Sequence, residues 1–403
     1  MSLETSLPGA LANVSVVELS NFLAGPSVAM HLADFGAEVI KVEHPGAGDE
    51  LRRWGHEKCG VGLYFKMINR NKKSVTADLR TPLGVETVKR LVESADVLIE
   101  NFRPGTMERW GLGYEVLKAL KPDLVMVRLT GYGQTGPNRD KPAFGTALEG
   151  YAGAVYISGF PDRPPLLPAF GLADTSAGIM GAFLTLVALE ARKNNGGKGQ
   201  VVDLALYEAA FTMLGPMVVD YDQLGLVQER LGSGGVPWVA PRNVYRSKDG
   251  QWVSLSASSQ TTFKRLCEAL QVPELVNDPR FENNRARTEN VEALDSALRQ
   301  VIGTLHCDEL VNRIEVNKGV VGRVQSVADI VADAHIVARE SVVAIEDAEL
   351  GGPLRMQNVA GRLSATPGAI RHAGPALGQH NREILVDRLG FSTQQLHAAG
   401  IAT

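Results

Sequence analysis

Apolar and polar positions in the first third of the chain follow two periods. Residues 14–19 (VSVVEL), 37–43 (AEVIKVE), 96–100 (DVLIE) and 124–130 (LVMVRLT) are short apolar runs rich in β-branched residues, and each predicts a strand. Residues 74–79 (SVTADL) alternate with a two-residue period and predict another. Between them lie helix-like stretches. One covers residues 24–35, with Pro26 near its start and Gly36 at its end; the next runs from Pro82 to about Ala95, capped by Thr81. Strands with no polar face, separated by helices, predict a parallel sheet covered on both sides: an α/β, Rossmann-like architecture. Such a fold hosts many activities and names none.

Further on, residues 178–192 read as a long buried helix, 200–205 as a strand and 207–214 as a helix. A segment punctuated by proline and glycine then runs to about Val239 and marks a domain boundary. Residues 245–256 predict a hairpin around Asp249-Gly250, followed by amphipathic helices at 260–270, 291–305 and 307–317. This is a smaller α+β domain. From about Ser341 the chain is loop-rich and ends in an amphipathic helix.

Composition narrows the classes. The 403 residues carry a formal net charge of −4, with Lys and Arg spread along the chain, so no basic field recruits nucleic acid. Cys59, Cys267 and Cys307 form neither a C-x-x-C pair nor a metal spacing, which fits a reducing compartment. Residues 1–11 lack a leader pattern, and the apolar run 178–189 is shorter than a membrane span. These features predict a cytoplasmic protein with no membrane partner. None of the eight histidines sits in a metal-binding spacing, so no metal is expected.

Gly131-Tyr-Gly133-Gln-Thr-Gly136 fits the dinucleotide pattern G-x-G-x-x-G, but residues 137–142 continue it as a loop rather than a helix. It reads as a turn. Two basic segments, 69–74 (NRNKKS) and 101–105 (NFRPG), adjoin strands. Read alone, each is either a polyphosphate contact or ordinary solvated charge. Asp174, in GLADTSAG ahead of the apolar helix, reads as a helix N-cap, or as a nucleophilic carboxylate held where a helix terminus stabilises anions.

The segments 16–52, 69–74, 95–105, 130–137 (TGYGQTGP), 173–178 (ADTSAG), 197–208 (GKGQVVDLALYE) and 374–380 (GPALGQH) resemble the CaiB/BaiF family of CoA-transferases, also called class III or formyl-CoA transferase-like. They occur in the family's order across nearly the whole chain. The resemblance implies a large Rossmann-like CoA-binding domain (1–205), a linker (206–240), a small domain (241–330) and a C-terminal segment (331–403) that returns to the large domain. It implies an interlocked homodimer, or a heteromer with a related subunit. It also implies no permanently bound cofactor, with coenzyme A and acyl-CoA as substrates.

By motif position Asp174 is the acylated residue, passing through an acyl anhydride and an aspartyl-CoA thioester. CoA contacts fall on Leu23, Ala24, His44, Lys72, Lys73, Ala77, Arg80, Asn101, Phe102, Arg103 and Arg109. Trp54, Phe144, Gly145, Gly234, Gly235, Trp238 and Arg242 fall in the acid pocket. Leu23 and Phe144 stand where the formyl-CoA enzymes carry a glutamine and a tyrosine. A site for oxalate needs those polar groups. The resemblance with these departures points to a larger acid — branched, aromatic or a four- to five-carbon dicarboxylate — with succinyl-CoA as donor and Arg242 as partner of a second carboxylate. The rival within the superfamily is an acyl-CoA racemase, which carries a Gly-His-Asp where this chain has Pro142-Ala143-Phe144-Gly145. A further alternative is one subunit of a hetero-oligomeric transferase.

Overall fold

A computed structural model describes residues 9–403; the segment before them, read above as lacking a leader pattern, lies outside the described residues. The chain divides into two compact units. One holds the described residues up to Ala152 together with Pro168–Gly215 and Ala334–Thr403; the other holds Gly153–Leu167 and Pro216–Asp333.

Among the described residues, the first unit has six parallel strands: β1 (Ser15–Glu18), β2 (Glu38–Glu43), β3 (Lys72–Thr76), β4 (Val97–Glu100), β5 (Val125–Thr130) and β6 (Val201–Ala205). Their order is β3-β2-β1-β4-β5-β6, all parallel. This is the doubly wound order, in which the sequence of strands reverses between β1 and β4 and leaves a crevice at their carboxyl ends. The lack of a polar face has a direct cause. Val16, Val97, Ile99, Val125 and Val127 point into one core, and Val17, Leu98 and Met126 into a second core on the opposite face. All are fully buried, and each such side chain contributes about 1.5–3 kcal/mol relative to exposure.

Helices α1 (Ala24–Asp34) and α4 (Leu172–Asn194) pack on the first face. They approach closely because Gly178 and Gly181 carry no side chain: a Cβ there would meet Ser27 Cβ at 2.5 Å and Val28 Cγ2 at 2.6 Å. The sequence predicts a buried helix from 178; the observed one starts six residues earlier and is buried on one face only. Ile179, Phe183, Leu186 and Val187 are exposed. By length and composition α4 is long and apolar enough to cross a membrane, and half of its most apolar stretch is buried in the protein, as in a core helix.

Helix α2 (Pro82–Glu93) lies on the second face, capped as expected by Thr81 Oγ1, which accepts the Gly84 N–H at 3.1 Å. Ile384, Leu385, Phe391 and Leu396 of the C-terminal segment join the same core. This segment also closes the β3 edge: His380 Nδ1 accepts the Ser74 N–H at 3.1 Å and Asn381 Oδ1 the Thr76 N–H at 2.8 Å. Covering an edge in this way prevents pairing with another chain.

The second unit pairs a three-stranded antiparallel sheet (Arg242–Arg246, Trp252–Ser256, Val321–Arg323) with the helices Gln260–Leu270, Val291–Ile302 and Cys307–Val316. Phe263, Leu266, Leu294, Leu298 and Leu310 fill their shared core.

Candidate active site

The crevice at the carboxyl ends of β1 and β4 gathers most of the residues singled out in the sequence. The chain leaving β1 gives Asn21, Phe22, Leu23 and Ala24; the chain leaving β4 gives Asn101, Phe102 and Arg103. The two loops are tied reciprocally. Asn101 Oδ1 accepts the Asn21 N–H at 2.9 Å, and Asn101 Nδ2 donates to Asn21 O at 2.8 Å. Together with Thr130, Gly131, Phe144, Gly145 and Asp174 they line a cavity of about 290 Å³. A neighbouring cavity of about 360 Å³ shares Asn21, Glu50 and Phe102 with it and adds His44, Ala77, Arg80 and Trp110.

Asp174 does not cap α4. Gly171 holds the cap position, and Asp174 is the third residue of the first turn. The early start is explained by helix α3 (Gly145–Tyr151): its buried Glu149 accepts the Ala173 N–H at 3.3 Å and so serves the new helix end. Gly145 makes room for the carboxylate, since a Cβ there would lie 2.3 Å from Asp174 Oδ2. Among the described residues no hydrogen bond or ion pair holds the Asp174 side chain. Burial pushes its pKa up to about 6, and the negative charge of Glu149 adds to the effect. A half-buried carboxylate without a donor keeps its lone pairs available for attack on carbon.

Aromatic rings stand beside it. Phe22 meets Phe144 edge-on at 6.0 Å and Trp54 at 6.5 Å, and Trp54 stacks on Tyr64 at 5.9 Å. Trp54 and Phe144 are both exposed. Tyr64, absent from the sequence expectation, feels the charge of Asp174; burial first, and that charge second, raise its pKa.

The second cavity brings together His44, Asp78 and Arg80. His44 Nε2 lies 2.9 Å from Arg80 Nη2, and Arg80 is held by both oxygens of Asp78 at 2.8 Å. Arg103 is exposed on the first cavity with no side-chain partner among the described residues. Arg109 is exposed and donates to Thr106 Oγ1 at 2.8 Å.

One expectation needs correction. Lys72 and Lys73 are not in a loop: strand β3 begins with them, at the amino end of the sheet and so opposite the crevice. Lys72 is fully buried. Its ammonium donates to Pro26 O at 2.8 Å and Asn69 Oδ1 at 2.9 Å and lies 2.7 Å from Glu18 Oε2, which leaves no proton for a phosphate. Lys73 bridges Glu38 and Glu383 at 2.9 and 2.6 Å. Gly234, Gly235, Trp238 and Arg242 belong to the second unit. There Arg242 Nη1 is spent on the Gly234 carbonyl, and a Cβ at Gly235 would strike the same guanidinium.

Phe22, Tyr64 and Glu149 are the site residues that sequence reasoning missed. Glu149 left a signal, a lone carboxylate among small and apolar residues in 145–154. No group of three or more metal-binding side chains occurs among the described residues.

The profile of CoA-transferase family III matches residues 11–381. The succinyl-CoA–D-citramalate CoA-transferase of Chloroflexus aurantiacus is 46% identical over 390 residues, spanning 96% of this chain and 96% of that relative. The beta subunit of the succinyl-CoA–L-malate CoA-transferase of the same organism is 39% identical, spanning 98% and 97%. A crystal structure of a CaiB/BaiF family protein from Brucella suis superposes with a TM-score of 0.83 at 33% identity, covering 94% of this chain and 100% of that one. The chain therefore belongs to CoA-transferase family III, the CaiB/BaiF proteins, and is a CoA-transferase that uses CoA thioesters as substrates.

Proposed function

We propose that the enzyme moves CoA from succinyl-CoA to a four- or five-carbon dicarboxylic acid, with Asp174 as the nucleophile. The observation that carries this reading is the unpartnered Asp174 carboxylate on a cavity at the switch point of the sheet. The acceptors named for the relatives, D-citramalate and L-malate, are acids of this class and share succinyl-CoA as donor.

The steps balance as follows. An Asp174 oxygen attacks the thioester carbon of succinyl-CoA; the C–S bond breaks, and CoA leaves as thiolate. The thiolate attacks the Asp174 carbonyl of the resulting anhydride, succinate departs, and an Asp174–CoA thioester remains. The acceptor carboxylate displaces the thiolate from this thioester. The thiolate then attacks the acceptor carbonyl, which releases the new acyl-CoA and restores the Asp174 carboxylate. The thioester energy stays in covalent bonds throughout. Each attack creates an oxyanion, and the N–H groups of Gly145 and Asp174, at the starts of α3 and α4, have no acceptor among the described residues. Arg80 and Arg103 supply charge for the CoA phosphates and for a second carboxylate, with His44 beside Arg80. The interlocked pair of chains belongs to the same proposal. The uncovered apolar face of α4, and the exposed Val218, Val219, Tyr221 and Leu224 in the second unit, support it.

The test is intact-protein mass after incubation with succinyl-CoA, followed by peptide mapping. A hydroxylamine-sensitive CoA or succinyl adduct on the Asp174 peptide is expected. Asp174→Asn should lose the adduct and lower kcat by about a thousandfold or more. Turnover of the Asp174→Asn enzyme within tenfold of the native rate would sink the assignment.

A further inference from the structure

Phe22 has a left-handed backbone, φ +62°. A bulky residue there is strained, and glycine would take the turn at no cost. Strain of this kind persists only where the surroundings over-determine it, and it collects at functional sites. Here the surroundings are built for it. Asp49 Oδ1 accepts the Phe22 N–H at 3.0 Å and the Leu51 N–H at 2.9 Å. Lys41 donates to Ser20 O at 2.7 Å, and the Asn101 pair clamps Asn21.

Asp49 is itself fully buried, and Lys41 Nζ lies 2.8 Å from its Oδ2. Lys41 also meets Glu18 at 2.7 Å, and Glu18 meets Lys72 at 2.7 Å. Four buried ionisable side chains thus form a chain that ends on two backbone N–H groups, those of Phe22 and Leu51. The CoA-transfer steps use none of them.

What the hold achieves is the placement of one ring. The Phe22 side chain meets Trp54 and Phe144 edge-on, and Phe22 and Phe144 line the cavity that also holds Asp174. We propose that Phe22 sets the length of acyl chain this cavity admits, and that Asp49 is the positioning residue that keeps it in place. The inference rests on the Asp174 cavity being the acyl site. It does not depend on which acid is the natural acceptor, or on the identity of the covalent intermediate.

Calorimetric titration with butyryl-CoA and octanoyl-CoA tests it, because binding requires no chemistry. The native enzyme should bind octanoyl-CoA at least about tenfold more weakly than butyryl-CoA. Phe22→Gly, which suits the left-handed turn, should keep its melting temperature and bring the two affinities within about twofold. A native enzyme without discrimination, or a glycine variant that keeps it, overturns the role of Phe22. Asp49→Ala should also lose discrimination, whereas Asp49→Asn, which retains an acceptor oxygen for the Phe22 N–H, should preserve most of it. Equal behaviour of the two Asp49 variants would overturn the positioning role. If Asp49→Ala fails to fold, Asp49→Asn decides alone: near-native discrimination supports the role, and its loss overturns it. Loss of the Asp174 adduct leaves these ratios untouched, so failure here and failure of the proposed mechanism are distinguishable.

Discussion

The large unit buries charge near its crevice in two contrasting ways. In the cluster of Glu18, Lys41, Asp49 and Lys72 every charge faces an opposite one within 2.8 Å. At Asp174 the carboxylate faces none. Burial acts on both sites, with different results. It would raise the pKa of Glu18, but Lys41 and Lys72 hold that group below its ordinary range. It would lower Lys41, but Asp49, Glu18 and Glu43 hold it above. At Asp174 burial is unopposed and Glu149 reinforces it. Pairing is not complete everywhere in the cluster, since burial still lowers the pKa of Lys72 to about 8, but only Asp174 has no opposite charge at all, which is what the proposed nucleophile requires. The difference lies in the partners, since the side chains are of the same kind.

Removing one partner from the compensated cluster should have the largest effect on stability. Lys72→Met leaves Glu18 with one buried cation instead of two, and is expected to cost about 3–5 kcal/mol in urea unfolding. Lys73→Met, one residue along on a partly exposed pair, should cost about 0–1 kcal/mol. A Lys72→Met enzyme of native stability that binds CoA more weakly would return Lys72 to the phosphate site and erase the contrast.

At the uncompensated site a crowding change should act on rate instead. Gly145→Ala places a Cβ 2.3 Å from Asp174 Oδ2, so the carboxylate must turn away. A displacement of about an ångström at a reacting group costs on the order of a hundredfold in kcat, with little loss of stability. A Gly145→Ala enzyme with native kcat would show that Asp174 has freedom the close fit denies.

The same contrast explains which parts were legible in the sequence. The parallel sheet was legible because burial on both faces forces apolar runs such as 124–130 (LVMVRLT), and the loop after β4 because it directly follows such a run; Leu23 and Ala24 after β1 were reached only through the family resemblance. The tasks of Lys72 and Lys73 were misread because their propensity and charge favour a polar loop. Long-range pairing of Lys72 with Glu18 overrides both, and nothing local records it. The start of α4 was misplaced by six residues for a similar reason: Glu149, on another helix, serves the new terminus, so no local capping pattern marks it. Phe22 left no trace at all, since a left-handed phenylalanine contradicts its own propensity and is held by Asp49, distant in the chain.

The smallest effect, and the one that sharpens the comparison most, is in the pH profile. In the proposed mechanism Asp174 attacks as the carboxylate, so kcat/KM should be full above a pKa of about 6 and fall as pH drops through it. Buried beside the site, Glu149 raises that pKa, and Tyr64 is the other titratable group in electrostatic contact with Asp174. Glu149→Gln removes one negative charge while keeping an oxygen for the Ala173 N–H. The acid limb should therefore move to lower pH, leaving the variant several-fold more active than native, relative to its own plateau, near pH 5. Linkage sets a matching sign for stability. A carboxylate whose folded pKa is raised contributes stability that is present below its unfolded value of 3.8 and lost as pH rises through about 6. At pH 8 native Asp174 is thus ionised at a cost to the fold, and Asp174→Asn should melt higher than the native enzyme while being inactive. An acid limb near pH 4 with no gain in melting temperature would mean that Asp174 is compensated like Glu18, and the distinction between scaffold charge and reactive charge would not hold in this protein.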